Sequence, residues 1–152
     1  MKLRTGEPWM TAEAYGRTLK GLTLNLLVRD VEAALRFERE VLGVDVVYQD
    51  PDFAVVRGHG GEWMLHADHT YLGHPSFPEI PSTGRRGLGL EIRLHGLDPD
   101  AAQAAAERLR YRVLSPAVDK GHGLREVFLV DPDGYTWVAD APVRSAESAA
   151  PS

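Results

Sequence analysis

The chain has 152 residues, a net charge of −5 and a pI near 5.6, with 43% hydrophobic and 26% charged residues, which suits one globular domain or two small halves sharing a core. The acidic balance argues against nucleic acid as the partner and mildly favours neutral or cationic small molecules. The absence of cysteine excludes disulfides, thiolate zinc sites and thiol nucleophiles.

Residues 1–19 read as an N-terminal extension in which Trp9, Met10 and Tyr15 stand among charge, Gly and Pro. Such a segment is either a mobile tail or a piece that packs on a partner subunit. It lacks the apolar run of a secretory signal, and nowhere does the chain approach the ~20 apolar residues of a membrane span, so a cytoplasmic protein with no membrane partner is expected. "LTLNLLV" (22–28) reads as a buried strand. Asp30 then caps a helix with Val31, Ala34, Leu35, Glu38 and Leu42 on one face, Glu32, Arg36, Arg39 and Glu40 on the other, and Gly43 as its stop. Three short β-rich runs follow, "VDVVYQ", "DFAVVRG" and "EWMLHAD", separated by "DPD" and "HGG" turns.

The stretch "LHADHTYLGHP" (65–75) holds three of the six histidines. Residues three apart in a strand face opposite sides, so His66 and His69 do not share a face, and His74 lies in a loop between Gly73 and Pro75. The segment therefore reads as a strand end running into a loop, with His69 and His74 ordinary loop histidines and His66 able to point into a concave face. Residues 71–86 are a linker rich in Pro, Gly and Ser.

The theme then repeats. "LGLEIRL" is a strand, Asp98-Pro99-Asp100 opens the helix "DAAQAAAERLRY", and "RVLSPAV", "REVFLVD" and "YTWVAD" are three more strands. "DPDG" (131–134) makes a type I turn closed by glycine. Residues 143–152 are small and polar, which suggests a disordered tail. Each half is thus β-α-β-β-β: a first module at 20–70 and a second at 87–142, within a single α+β domain spanning 20–142.

The two halves, with "VRDVEAALRFEREVLGV" after the first strand and "VFLVDPDGYTWVAD" near the end, resemble the vicinal oxygen chelate superfamily of glyoxalases, extradiol dioxygenases, fosfomycin-resistance enzymes and bleomycin-resistance proteins. The resemblance implies that each module curls a mixed sheet into a cup, that a ligand lies in the cup with a divalent metal usual at its base, and that chains commonly pair, here as a homodimer. It also implies where metal ligands would stand. Seven residues before the capping Asp, where such members carry His, this chain has Thr23; seven residues after the first Asp of the turn, where they carry Glu, it has Val138. Glu91 lies near the third position and His66 near the fourth, leaving at best two ligands where a catalytic metal normally keeps three. No metal is therefore expected; the alternative is one divalent ion such as Fe, Mn, Zn or Ni. Arg125-Glu126 ahead of the turn is similar to the "G-R-E-F" of the metal-free bleomycin-resistance proteins.

If Thr23 faces the cup, so does Asn25. Thr136 and Val138 share one face of the last strand, with Trp137 on the other, packing between strands and helix. Glu91 and Arg93 share a face that is either cup or solvent. With Trp63, His66 and Arg125, these complete the expected ligand-facing set. The function expected is a small-molecule binder, sequestering or recognising a small organic ligand in the strand cup without metal. The alternative is a dioxygenase, lyase, isomerase or hydrolase working by metal or general base around His66 and Glu91. A third reading is a domain whose cups are filled by its own side chains and whose role is association.

Overall fold

The computed structural model describes residues 1–144, so most of the expected tail lies outside the described residues. The chain forms two compact units, Met1–Arg86 and Gly87–Ser152. Each holds one four-stranded mixed sheet, giving an α+β fold.

The first unit opens with a helix that the sequence did not announce, α1 (Ala12–Thr18), capped by the Thr11 hydroxyl, which accepts from the Ala14 amide. Next come β1 (Leu24–Val28), α2 (Val31–Glu40), β2 (Asp45–Gln49), β3 (Phe53–Gly58) and β4 (Gly61–Ala67). The sheet order is β1-β4-β3-β2, with β1 and β4 parallel and the rest antiparallel. The Asp30 carboxylate accepts from the Ala33 amide and starts α2; Gly43, at φ +67°, supplies the left-handed residue after it. His59 and Gly60, both at positive φ, make a two-residue hairpin between β3 and β4.

Strand alternation gives this sheet two faces. Leu26, Val28, Ala54, Val56, Trp63 and Leu65 are buried on the face toward α2, against Val31, Ala34, Leu35 and Phe37. Glu38 belongs to the buried face of α2, as its spacing suggests, because its carboxylate accepts from the Trp63 indole at 3.1 Å. The other face carries Asn25, Leu27, Phe53, Val55, Met64 and His66.

The first 19 residues pack on their own unit. The Leu3 and Arg4 amides donate to the Asp52 carboxylate at 2.7 and 3.2 Å. Trp9 stacks on Tyr48 with centroids 5.6 Å apart, and the Tyr15 hydroxyl donates to Glu62. The linker is tied down as well. It is interrupted by two 3₁₀ turns, Asp68–Tyr71 and Phe77–Glu79, and the Arg29 side chain binds the carbonyls of Pro81, Ser82 and Gly84. Arg86, 3% exposed, forms two 2.7 Å bonds to Asp68 and also reaches the carbonyls of Leu27 and Pro81. The planar guanidinium suits this fork-like arrangement.

The second unit repeats the pattern with β5 (Glu91–His95), α3 (Pro99–Arg108), β6 (Arg112–Asp119), β7 (Leu124–Val130) and β8 (Thr136–Pro142), in the order β5-β8-β7-β6. Ile92, Leu94, Val127, Leu129, Trp137 and Ala139 form one buried face. The turn before β8 is organised by Asp131. Its Oδ1 accepts from the Asp133 and Tyr135 amides, its Oδ2 accepts from the Trp137 indole, and Gly134 sits at φ +95°.

Burial pushes the Asp131 carboxyl up to about 6, aided by the nearby Asp133 charge and opposed by the Trp137 bond. A group raised in the folded state stabilises most below its unfolded value, near 4, and loses that contribution as pH rises through about 6. Asp131→Asn is therefore expected to flatten the stability curve between pH 4 and 6, measured by urea unfolding at a series of pH values.

Candidate functional site

The first unit contains a cavity of about 620 Å³ between the open face of its sheet and the N-terminal segment. The strands contribute Phe53, Met64 and His66; the N-terminal segment contributes Trp9, Met10 and Tyr15. Alternation on β3 and β4 puts Phe53 directly opposite His66, with ring centroids 4.7 Å apart. Tyr15 meets Phe53 edge-on at 5.9 Å, and Trp9 lies 5.9 Å from Tyr15. A continuous set of rings thus lines the concavity, an arrangement suited to a flat apolar ligand.

Polar groups on the strand side are mostly committed to the protein. Asp50 accepts from the amides of Asp52 and Phe53 and from the Tyr48 hydroxyl. Asp52 accepts from Leu3 and Arg4 and bonds His69 Nε2 at 2.6 Å. Burial pushes the Asp52 carboxyl up, but the bonds from His69 and the two amides outweigh it and hold the group below the usual carboxylate range. Burial alone lowers His66, which keeps the ring neutral at pH 7. Its Nδ1 bonds Asn25 Oδ1, and Asn25 Nδ2 donates to the Tyr71 hydroxyl at 2.7 Å.

The predicted site residues divide by face. Asn25 and His66 come together on the open face of the first sheet. Thr23, just before β1, lines a separate shallow pocket with Thr18, Asp45 and Arg57. Trp63 is withdrawn: it points toward α2, three residues from His66 and so on the opposite side. His69 is not a plain loop histidine, because it braces Asp52. His74 stays exposed, its Nδ1 accepting from the Ser76 amide. The sequence reading missed Asp52, Trp9, Tyr15 and Tyr71. The Thr11 hydroxyl caps α1, but nothing local marked where this segment docks.

In the second unit, Glu91, Arg93, Thr136 and Val138 share a face, since β5 and β8 pair Glu91 with Thr136 and Arg93 with Val138. Arg93 is the centre of a charge network: it donates to Glu126, to Asp140 at 3.0 Å and to Glu91 at 3.1 Å. His122 bonds Glu126 and His95 bonds Asp140. Arg125 is a correction. It lies on the opposite face and pairs with Asp100 at the start of α3 and with Asp119.

The profile of the Glyoxalase/Bleomycin resistance protein/Dioxygenase superfamily matches residues 21–139. The chain belongs to this superfamily. Solved structures of glyoxalase-superfamily proteins share its fold. A glyoxalase/bleomycin resistance protein/dioxygenase family enzyme from Burkholderia phytofirmans PsJN is similar with a TM-score of 0.66 at 13% identity, covering 80% of this chain and 97% of that one. A glyoxalase/bleomycin resistance protein/dioxygenase from Nocardioides is similar with a TM-score of 0.59 at 22% identity, covering 88% and 94%. A glyoxalase-related enzyme from Fulvimarina pelagi gives 0.62 at 22%, covering 81% and 88%. No curated protein matches the chain in sequence.

A divalent metal is common in this superfamily, and the donor set can be tested against one. Threonine and valine stand at positions 23 and 138, Glu91 is paired with Arg93, and His66 already uses Nδ1 on Asn25. Among the described residues, no three His, Asp or Glu side chains form a group able to hold a metal ion. Among the described residues, no helix is long and apolar enough to cross a membrane.

Proposed function

We propose that this protein is a metal-free small-molecule binder, active as a cytoplasmic homodimer, that takes a flat organic ligand into the strand cup of its first unit. The carrying observation is the roughly 620 Å³ cavity walled by Phe53, Met64 and His66 on one side and Trp9 and Tyr15 on the other. Its volume suits a drug-sized molecule, and aromatic walls are typical of such sites. The N-terminal segment is the outer wall, so the ligand is held by one chain.

The test is a melting-temperature screen of flat aromatic compounds, combined with elemental analysis after growth in Fe, Mn, Zn and Ni. A ligand at 100 times its Kd adds about 2.7 kcal/mol, which raises the melting temperature by several degrees. The expected result is such a rise with aromatic compounds and substoichiometric metal. Stoichiometric metal lost in His66→Ala would overturn the reading. His66 Nε2, which has no partner among the described residues, favours a second reading, a general-base enzyme at that residue; Glu91, in the other unit, is not needed for it.

A further inference from the structure

We infer that His66 Nε2 and Asn25 select, in the cavity of the first unit, a planar ligand bearing a weakly acidic hydrogen-bond donor such as a phenol; this rests on the proposal that the cavity binds a small molecule.

The cavity wall narrows the choice. Asp50 is engaged with two amides and the Tyr48 hydroxyl, Asp52 with two amides and His69, and the Thr70 hydroxyl donates to the Ala67 carbonyl. On the strand side of the cavity, His66 Nε2 alone has no partner among the described residues; the N-terminal wall adds the charged side chains of Lys2, Arg4 and Glu7. The state of that nitrogen follows from the other edge of the ring. Asn25 Oδ1 can only accept, so the Nδ1 it faces carries the proton, while Asn25 Nδ2 donates to the Tyr71 hydroxyl. Nε2 is then a lone pair, and burial keeps the ring neutral so that it stays one. A lone pair rewards a donor and repels an acceptor. The adjacent Phe53 ring, 4.7 Å away, and the Tyr15 and Trp9 rings beyond it require that the donor be carried on a flat apolar body.

The probes are 2-naphthol and its methyl ether, which differ only in the donor. Titration calorimetry on the full chain is expected to show naphthol binding roughly five- to tenfold more tightly, the worth of one neutral hydrogen bond. His66→Phe keeps a flat ring and removes the nitrogen; it should abolish the preference, bringing the ratio of the two affinities to about one. Asn25→Leu frees the tautomer and should shrink the preference between the two probes. Equal affinity of the two probes for the unmodified protein would overturn the inference while leaving the binding site standing. Tighter binding of the ether would overturn it too, by showing that Nε2 donates. Failure of both probes to bind would remove the site itself and the inference with it.

Discussion

Replacing Arg93 with methionine is expected to lower stability by about 3–5 kcal/mol at neutral pH, the cost of leaving buried carboxylates without their cation. Glu126 and Asp140 have side chains only 4% and 1% exposed, and one guanidinium bonds both. Methionine keeps the length and much of the apolar stem, so the loss isolates the charge. The pH dependence gives the sign. Burial pushes the Glu126 carboxyl up, but the bonds from His122 and Arg93 outweigh it and hold the group below its usual range. In the unmodified protein, Glu126 therefore contributes stability above the unfolded carboxyl value, near 4.3, and loses it as pH falls through the folded value. With Arg93 gone, burial prevails, and protonation of Glu126 relieves the strain. The difference between variant and parent should narrow on going from pH 7 to pH 5, measured by urea unfolding. Adding Glu126→Gln to Arg93→Met should recover part of the loss at pH 7. An equal deficit at both pH values would mean that Arg93 acts by packing alone.

The fold was legible because its signals are local and periodic. Asp30 and Gly43 bracket α2 with a cap and a stop, and Asp131 to Gly134 dictate a turn whatever the rest of the chain does. The site was only half legible, because faces depend on pairing. The alternation that separates His66 from His69 also separates His66 from Trp63, so Trp63 could have been excluded from the sequence alone. Arg125 was harder. Its removal from the cup follows from its place opposite Ala141 and from the reach of Asp100, both long-range. The docking of residues 1–19 had no local signature at all. It uses the backbone amides of Leu3 and Arg4, which every sequence carries, and a carboxylate about 48 residues away.

Asp52→Ala should release the N-terminal segment from the first unit while leaving the sheet folded. The substitution removes the acceptor of the Leu3 and Arg4 amides and the partner of His69, but keeps the Asp52 amide bonded to Asp50 and the Asp52 carbonyl bonded to the Ala67 amide. Hydrogen bonds to a charged acceptor are worth about 1.5–3 kcal/mol, so hydrogen exchange at Leu3 and Arg4 should accelerate roughly ten- to hundredfold. Asp52→Asn, which keeps one acceptor oxygen, should fall between. Because the bonds outweigh burial and hold the Asp52 carboxyl low, the attachment is present above the ordinary carboxylate value and is lost as pH falls through the folded one. Protection at Leu3 and Arg4 should therefore fade in acid in the parent and be absent throughout in Asp52→Ala. Once the segment lifts, Trp9 leaves Tyr48 and Tyr15 leaves Phe53, and the cavity loses its outer wall. Aromatic ligands should then bind Asp52→Ala more weakly, although no residue touching them on the strands has changed. Full protection of both amides in Asp52→Ala would show that the ring contacts alone hold the segment down.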